Sequence, residues 1–246
     1  MRENRDKIVE KTSAIGQLFK RAYKFIAAAK SLRDDMEIIY EEALDKGLFN
    51  FHVAKLKNEI LGGIPYTLKE GKTRHLFGSA FSPDGRVDYY ETVLHGFDKV
   101  VYIKGNYIKG MSRLMEYIVE EGLKKGLYIE IYHEPMDERN IETILIPELD
   151  IAITTSKKFA KNNVKIIDFD SFMKVDILKK HEEKLKEDQQ LIDELLAKGL
   201  ANVSIAKKEH DILETFYIPN MNFRAVDSFK EEIMNRIMGY AEEPEK

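Results

Sequence analysis

Gly105 and Gly110 enclose four residues, and Ser112 follows two positions later; of all the residues in the chain, these come nearest to a recognisable chemistry. They lie in VVYIKGNYIKGMS, residues 100–112, which ends where a helical stripe begins at Leu114, Met115, Tyr117 and Ile118. A strand, a glycine-bounded loop and a helix make a phosphate cradle when the pattern is G-x-x-x-x-G-K-[ST]: backbone N–H groups surround the phosphates, the lysine reaches the β- and γ-phosphates, and the hydroxyl approaches magnesium. Here the lysine position holds Met111, whose thioether cannot offset the charge that builds during phosphoryl transfer. In an alternative reading the chain is an active ATPase or phosphotransferase in which Lys109 or Arg113 serves as a surrogate cation, with Lys104 also nearby. Gly105, Lys109, Gly110, Ser112 and Arg113 are therefore the candidate nucleotide-binding residues, for ATP or another nucleotide with magnesium. No catalytic residue or metal ligand is assigned.

Two other readings of the same stretch stay open. YIK stands on both sides of Gly105-Asn106, and Gly-Asn is a legitimate two-residue hairpin turn, although the second arm would be only Tyr107 to Lys109. In the third reading the bulky Tyr107 and Ile108 close the loop, and the region serves only as structure.

A hydrolysing site also needs a carboxylate at the end of a neighbouring strand, to hold magnesium or position water. The apolar run at 150–155 ends in Thr154-Thr155-Ser156, with Asp150 at its far end, so hydrolysis is expected to be impaired. Thr155 is expected to cap the following turn. Glu130 and His133 fall on opposite faces of a regular strand, which argues against a shared metal. His210 and Glu214 are four apart on a helix with no third ligand at a recognisable spacing, so they read as a packing device. His75 reads as structural, and Asp137 as the cap of a short helix after Pro135.

The elements that must position these residues fall into three stretches. Residues 1–63 are helical in texture: Ile15, Leu18, Phe19, Ala22, Phe25 and Ile26 recur at steps of three and four. Further helices are expected at 32–44 and 51–61, and Ala27 to Ala29 would admit a close neighbour. Residues 74–170 alternate short apolar runs with helical pattern, giving strands at 75–81, 99–104, 127–132, 150–155 and 164–167 and a helix at 111–125. That alternation predicts an α/β domain with a mainly parallel, P-loop-like sheet covered by helices on both faces. Residues 171–240 are helical again, with Asp170 or Ser171 as an N-cap, a division at Gly199, a break at Pro219 and a last helix from Val226; AEEPEK, at 241–246, is expected to fray.

An internal echo joins the helical ends. An offset of 177 positions takes Ala29 and Lys30 to Ala206 and Lys207, Asp34 to Asp211, Glu37 to Glu214, Tyr40 to Tyr217 and Ile60 to Ile237. Shared spacing over this length suggests duplication: the tail of one repeat followed by a whole second one. It also leads to the expectation of helix-to-helix association, within one chain or across a homodimer.

Composition narrows the partners. The 39 basic and 43 acidic side chains are interspersed, so a broad nucleic-acid-binding face is unsupported. There is no cysteine, no signal-like opening and no apolar run of about 20 residues, which together lead to the expectation of a cytoplasmic protein away from membranes.

The phrases RHLFGSAFSPDGRVDY, KVVYIKG, GLYIEIYH, IPELDIAITTS and KKEHDILETFYIPNMNF resemble, in that order, an uncharacterised bacterial family with two tandem P-loop ATPase-like units, each followed by helices. The resemblance runs from Arg74 to about Phe223 and implies an ATP-binding fold. The chain departs from the family pattern at Met111, at Arg113 and in having no first P-loop unit. It therefore looks like the tail of the first unit plus a degenerate second unit, a non-hydrolysing nucleotide-binding or scaffold protein.

Overall fold

Helix periodicity carries the chain's two ends, and short apolar runs carry its middle. The computed structural model describes residues 4–160 and 164–242. The chain divides into two compact units: Lys20–Ser204 forms one, and residues up to Phe19 with those from Ile205 onward form the other.

The larger unit holds the α/β core. Its strands are β1 (Lys72–Phe77), β4 (Lys99–Lys104), β5 (Tyr128–His133), β6 (Ile141–Ile146), β7 (Ile151–Thr154) and β8 (Lys165–Asp168), with a separate hairpin of β2 (Ser79–Ser82) and β3 (Gly85–Asp88). The six-stranded sheet has the order β1-β5-β6-β7-β4-β8 and is mostly parallel; only β6 runs against its neighbours. A short helix α3 (Tyr90–Val93) precedes β4, and α4 (Ile108–Lys124) links β4 to β5. The expected α/β class with a mainly parallel sheet is thus present.

β6 has no counterpart among the expected strands. All six of its residues, IETILI, are buried, so it has no alternation of exposed and buried positions to announce it. The strand expected at 75–81 is two strands: β1 ends at Phe77 and β2 starts the hairpin at Ser79, and between them Gly78 lies where a side chain would run into the Tyr90 ring. The SPDG turn between β2 and β3 is held by the Ser82 hydroxyl, which donates to the Gly85 carbonyl at 2.9 Å and accepts the Asp84 N–H at 3.2 Å.

Two helices, not three, precede the core: α1 (Arg5–Ala43) and α2 (Lys46–Leu61). Asp45 ends the gap between them as the N-cap of α2, accepting the Leu48 N–H at 2.9 Å. Phe49, Val53, Leu56 and Leu61 line the buried side of α2 and join the cluster that contains Leu114, Met115 and Ile118 of α4. Each such side chain contributes about 1.5–3 kcal/mol when fully buried.

After β8 come α5 (Val175–Lys180), α6 (Glu182–Tyr217) and α7 (Phe223–Glu242). Neither Asp170 nor Ser171 is an N-cap of α5; Lys174 holds that position, and Asp170 is used elsewhere. Gly199 does not divide α6. A side chain there would sit 3.2 Å from Ile26 and 3.4 Å from the Ala22 carbonyl, so the glycine lets α6 lie close against α1. Near this contact Ala22 and Ala29 of α1 are buried, whereas Ala27 and Ala28 are exposed. In the smaller unit, Ile15 of α1 packs with Ala206 and Leu213 of α6, and Lys11 pairs with Glu209 at 2.5 Å. Of the expected frayed end, Ala241 and Glu242 belong to α7, and the remainder lies outside the described residues. No described helix is long and apolar enough to cross a membrane.

Candidate functional site

In an open α/β sheet, ligands bind beyond the carboxyl ends of the parallel strands. Here the ends of β4 and β7 share that edge with the start of β6, and the segment under question leaves from β4. It is not a hairpin. Gly105, Asn106 and Tyr107 join β4 directly to α4, whose first turn is closed by the Met111 N–H donating to the Tyr107 carbonyl at 3.0 Å.

The connection is tighter than a phosphate cradle. The Asn106 backbone N–H and side-chain amide donate to the Asp170 carboxylate at 3.1 and 3.2 Å. A side chain at Gly105 would come within 2.9 Å of Phe169, so the glycine admits the turn that carries Asp170. Gly110 lies inside the first turn of α4, where a side chain would strike the Tyr107 and Phe169 rings. Tyr107 is buried, stacks on Tyr40 at 5.7 Å and donates its hydroxyl to Glu41 at 2.6 Å. Burial and the Glu41 carboxylate raise the pKa of this hydroxyl. Ser112 is buried too: its Oγ accepts the Ile141 N–H at 2.8 Å and donates to Glu116 at 2.9 Å. Met111 packs into the core at the lysine position.

The two surrogate cations point to a neighbouring hollow of about 340 Å³, which they line with Glu37, Asp137 and Arg139. Arg113 is paired with Glu41 at 3.1 Å and lies over the Phe49 ring at 5.1 Å, while Lys109 is exposed. Lys104 is exposed and paired with Asp168 at 3.0 Å. Of the five candidate residues, Gly105 alone lines the cleft at the strand ends.

That cleft encloses about 480 Å³, and Arg33, Glu37, Asn106, Glu142, Ser156 and Lys157 are among its walls. Three of these residues are at least nine-tenths buried and carry an atom without a hydrogen-bond partner: Arg33 Nε, Glu37 Oε1 and Ser156 Oγ. Arg33 is held by Glu134, to which Nη2 donates at 3.0 Å, and Glu134 also accepts the Asp137 N–H at 2.9 Å. Burial raises the pKa of the Glu37 carboxyl, partly offset by Arg33. On the other wall Glu142 accepts the Ser79 hydroxyl at 2.6 Å and the Tyr90 hydroxyl at 3.0 Å, and pairs with Arg86. Arg33 and Ser156 were not among the expected binding residues. Arg33 belongs to a helix far away in sequence, and Ser156 lies one residue past the Thr-Thr end.

The chain matches no family profile, no curated protein and no solved structure.

The remaining candidates are occupied differently. Asp137 caps no helix; it accepts the Arg139 N–H at 3.2 Å and its Nε at 2.8 Å, in a turn. Hydrogen bonds from Arg139 hold the Asp137 carboxyl well below the usual range against the opposing effect of burial, with Lys30 reinforcing them. Thr154, not Thr155, caps the turn after β7, accepting the Ser156 N–H at 3.1 Å. Thr155 Oγ1 donates to the Glu142 carbonyl at 3.2 Å. His133 sits away from Glu130 and stacks with His75, the two ring nitrogens 2.8 Å apart. Among the described residues, His210, Asp211 and Glu214 form the one group whose ligand atoms lie within 4.8 Å of one another. All three are exposed, with Asp211 paired to Lys207 and His210 to Glu214.

Proposed function

We propose that the chain binds a nucleotide, or a similarly phosphorylated small molecule, in the 480 Å³ cleft and does not hydrolyse it. The observation that carries this reading is the pair of buried donors without partners on the cleft wall, Arg33 Nε and Ser156 Oγ. Leaving such groups unpaired costs about 1–3 kcal/mol each; both atoms have almost no exposed surface, so a phosphate oxygen removes that cost by drawing the two side chains toward the cleft. Lys157 adds a cation to the same wall, and the first turn of α4 lies alongside through Ile108 and Met111. The fold is read as a degenerate P-loop-like one. Support comes from the strand, short loop and helix at the carboxyl edge of a mostly parallel sheet, with Met111 at the lysine position.

The commitments of the motif residues weigh against turnover. Asp170 takes the loop N–H, Ser112 Oγ is spent on Ile141 and Glu116, and Arg113 is engaged with Glu41. Calorimetry with ATP, ADP, GTP and inorganic phosphate, each with and without magnesium, tests the reading. Binding should weaken roughly tenfold or more in Arg33→Met and in Ser156→Ala, as expected for a lost hydrogen bond to a charged group. Lys104→Met should leave it unchanged, and Mg-ATP should release no phosphate above background. The absence of binding for all four ligands, or affinity indifferent to Arg33 and Ser156, would reject it.

A further inference from the structure

The two helical ends repeat one another in their packing as well as in their spacing. In the larger unit Ala29, Met36 and Ile192 form a buried cluster with Leu185, Leu195 and Tyr40 against it. In the smaller unit Ala206, Leu213 and Ile15 form one with Ile8, Leu18 and Tyr217 against it. The 177-position offset converts the members of one set into those of the other, pair by pair. It also takes Lys46, the first residue of α2, to Phe223, the first residue of α7.

The copies differ in what lies beyond the shared cluster. The tail of α1 and the whole of α2 seat on the α/β core: Lys30 pairs with Asp137 at 3.2 Å, Arg33 with Glu134 at 3.0 Å, Tyr40 stacks on Tyr107, and α2 joins the α4 cluster. At the image positions the apolar stripe is bare. Phe49 is 3% exposed and its image Val226 47%; Leu56 is 3% exposed and its image Ile233 38%. Ile237, Met238 and Phe229 continue the exposed stripe, and Lys230, at the image of Val53, is its departure.

We infer that α7, with the Tyr217 end of α6, is the seat for a second α/β domain built like residues 72–172. The occupant is defined by what α2 covers: a helix like α4 presenting an apolar face, flanked by aromatic rings like Tyr107, Phe169 and Phe172. The chain's own core and that of a second copy do not qualify, because α2 already covers that face. The occupant is therefore a separate α/β domain whose α4-like face is bare.

Hydrogen exchange provides the test, on the full chain and on a longer polypeptide in which a second copy of residues 64–173, joined by a flexible linker, precedes the full chain. Amides of α7 should exchange roughly tenfold or more slowly in the longer polypeptide. The double variant Val226→Asp, Ile233→Asp should return them to the original rate and leave β4 and β7 protected. The inference fails if α7 exchanges equally in both polypeptides or ignores the double variant. It fails too if the added copy's strands stay unprotected, because its bare face would then have found no cover. Protection of α7 that rises with concentration in the unextended chain overturns it in favour of a homodimer.

Discussion

α2 and α7 begin at equivalent points of a repeat and carry corresponding apolar stripes, broken in α7 at Lys230, yet one stripe is buried and the other bare. The difference lies outside the helices, in whether an α/β face is there to receive them. Their polar neighbours differ to match. Lys30 and Arg33 reach across to Asp137 and Glu134 of the core. Their images, Lys207 and His210, pair along their own helix with Asp211 and Glu214. Amphipathic pattern makes a helix capable of docking, and the supply of a complementary face decides whether it docks.

The largest effect that sharpens this contrast should come from truncating the two stripes in turn. Leu56→Ala should cost about 2–5 kcal/mol in urea denaturation, as buried leucines do. Ile233→Ala, its image, should stay within about 0.5 kcal/mol, as expected of an exposed site. Equal losses would mean that α7 is covered after all.

Next comes the close approach that α1 and α6 share. Gly199→Leu should cost about 1–3 kcal/mol, because the added side chain meets Ile26 and the Ala22 backbone. Gly16→Leu, on α1 where nothing lies within 4 Å of the missing side chain, should show no comparable loss.

An effect of the same order should appear in acid and should report the docked copy. The folded Asp137 carboxyl holds its proton more weakly than the unfolded one, whose ordinary value is 3.8. Its contribution is therefore present above that pH and is lost as pH falls through the lower folded value. Asp137→Asn should flatten the acid limb of stability against pH and cost about 1–3 kcal/mol near neutrality. An acid limb unchanged in that variant would remove Asp137 from the account. The smallest effect belongs to the bare copy: Glu214→Gln should change stability by no more than about 0.5 kcal/mol, since an exposed i,i+4 pair contributes little.

Much of the α/β core was legible in local pattern. β4 lies at its expected bounds because VVYI is a short apolar run between Lys99 and Lys104, whereas the helical stripe located α4 but set its start three residues late, at 111 instead of Ile108. β6 was not, because a strand with every residue buried loses the alternation that marks strands. Gly199 was read as a break for a similar reason: a glycine that ends a helix and one that admits a neighbouring helix are the same letter, and Ile26 and Ala22 decide between them. The site was less legible. Spacing brought Gly105, Gly110 and Ser112 forward, but the last two are used in packing α4, while the donors without partners are Arg33 and Ser156.

By itself the sequence determined what depends on neighbours in the chain: the helical ends, the strand-to-helix step at Gly105, a methionine at position 111 after the second glycine, and the 177-position repeat. Each of these rests on residues a few positions apart, or on one pattern recurring. Tertiary structure alone decided that Asp170 closes onto Asn106, that Arg33 reaches the strand ends, and that α2 is covered while α7 is not. These outcomes depend on which distant surfaces meet, and burial and hydrogen bonding are settled only when they do.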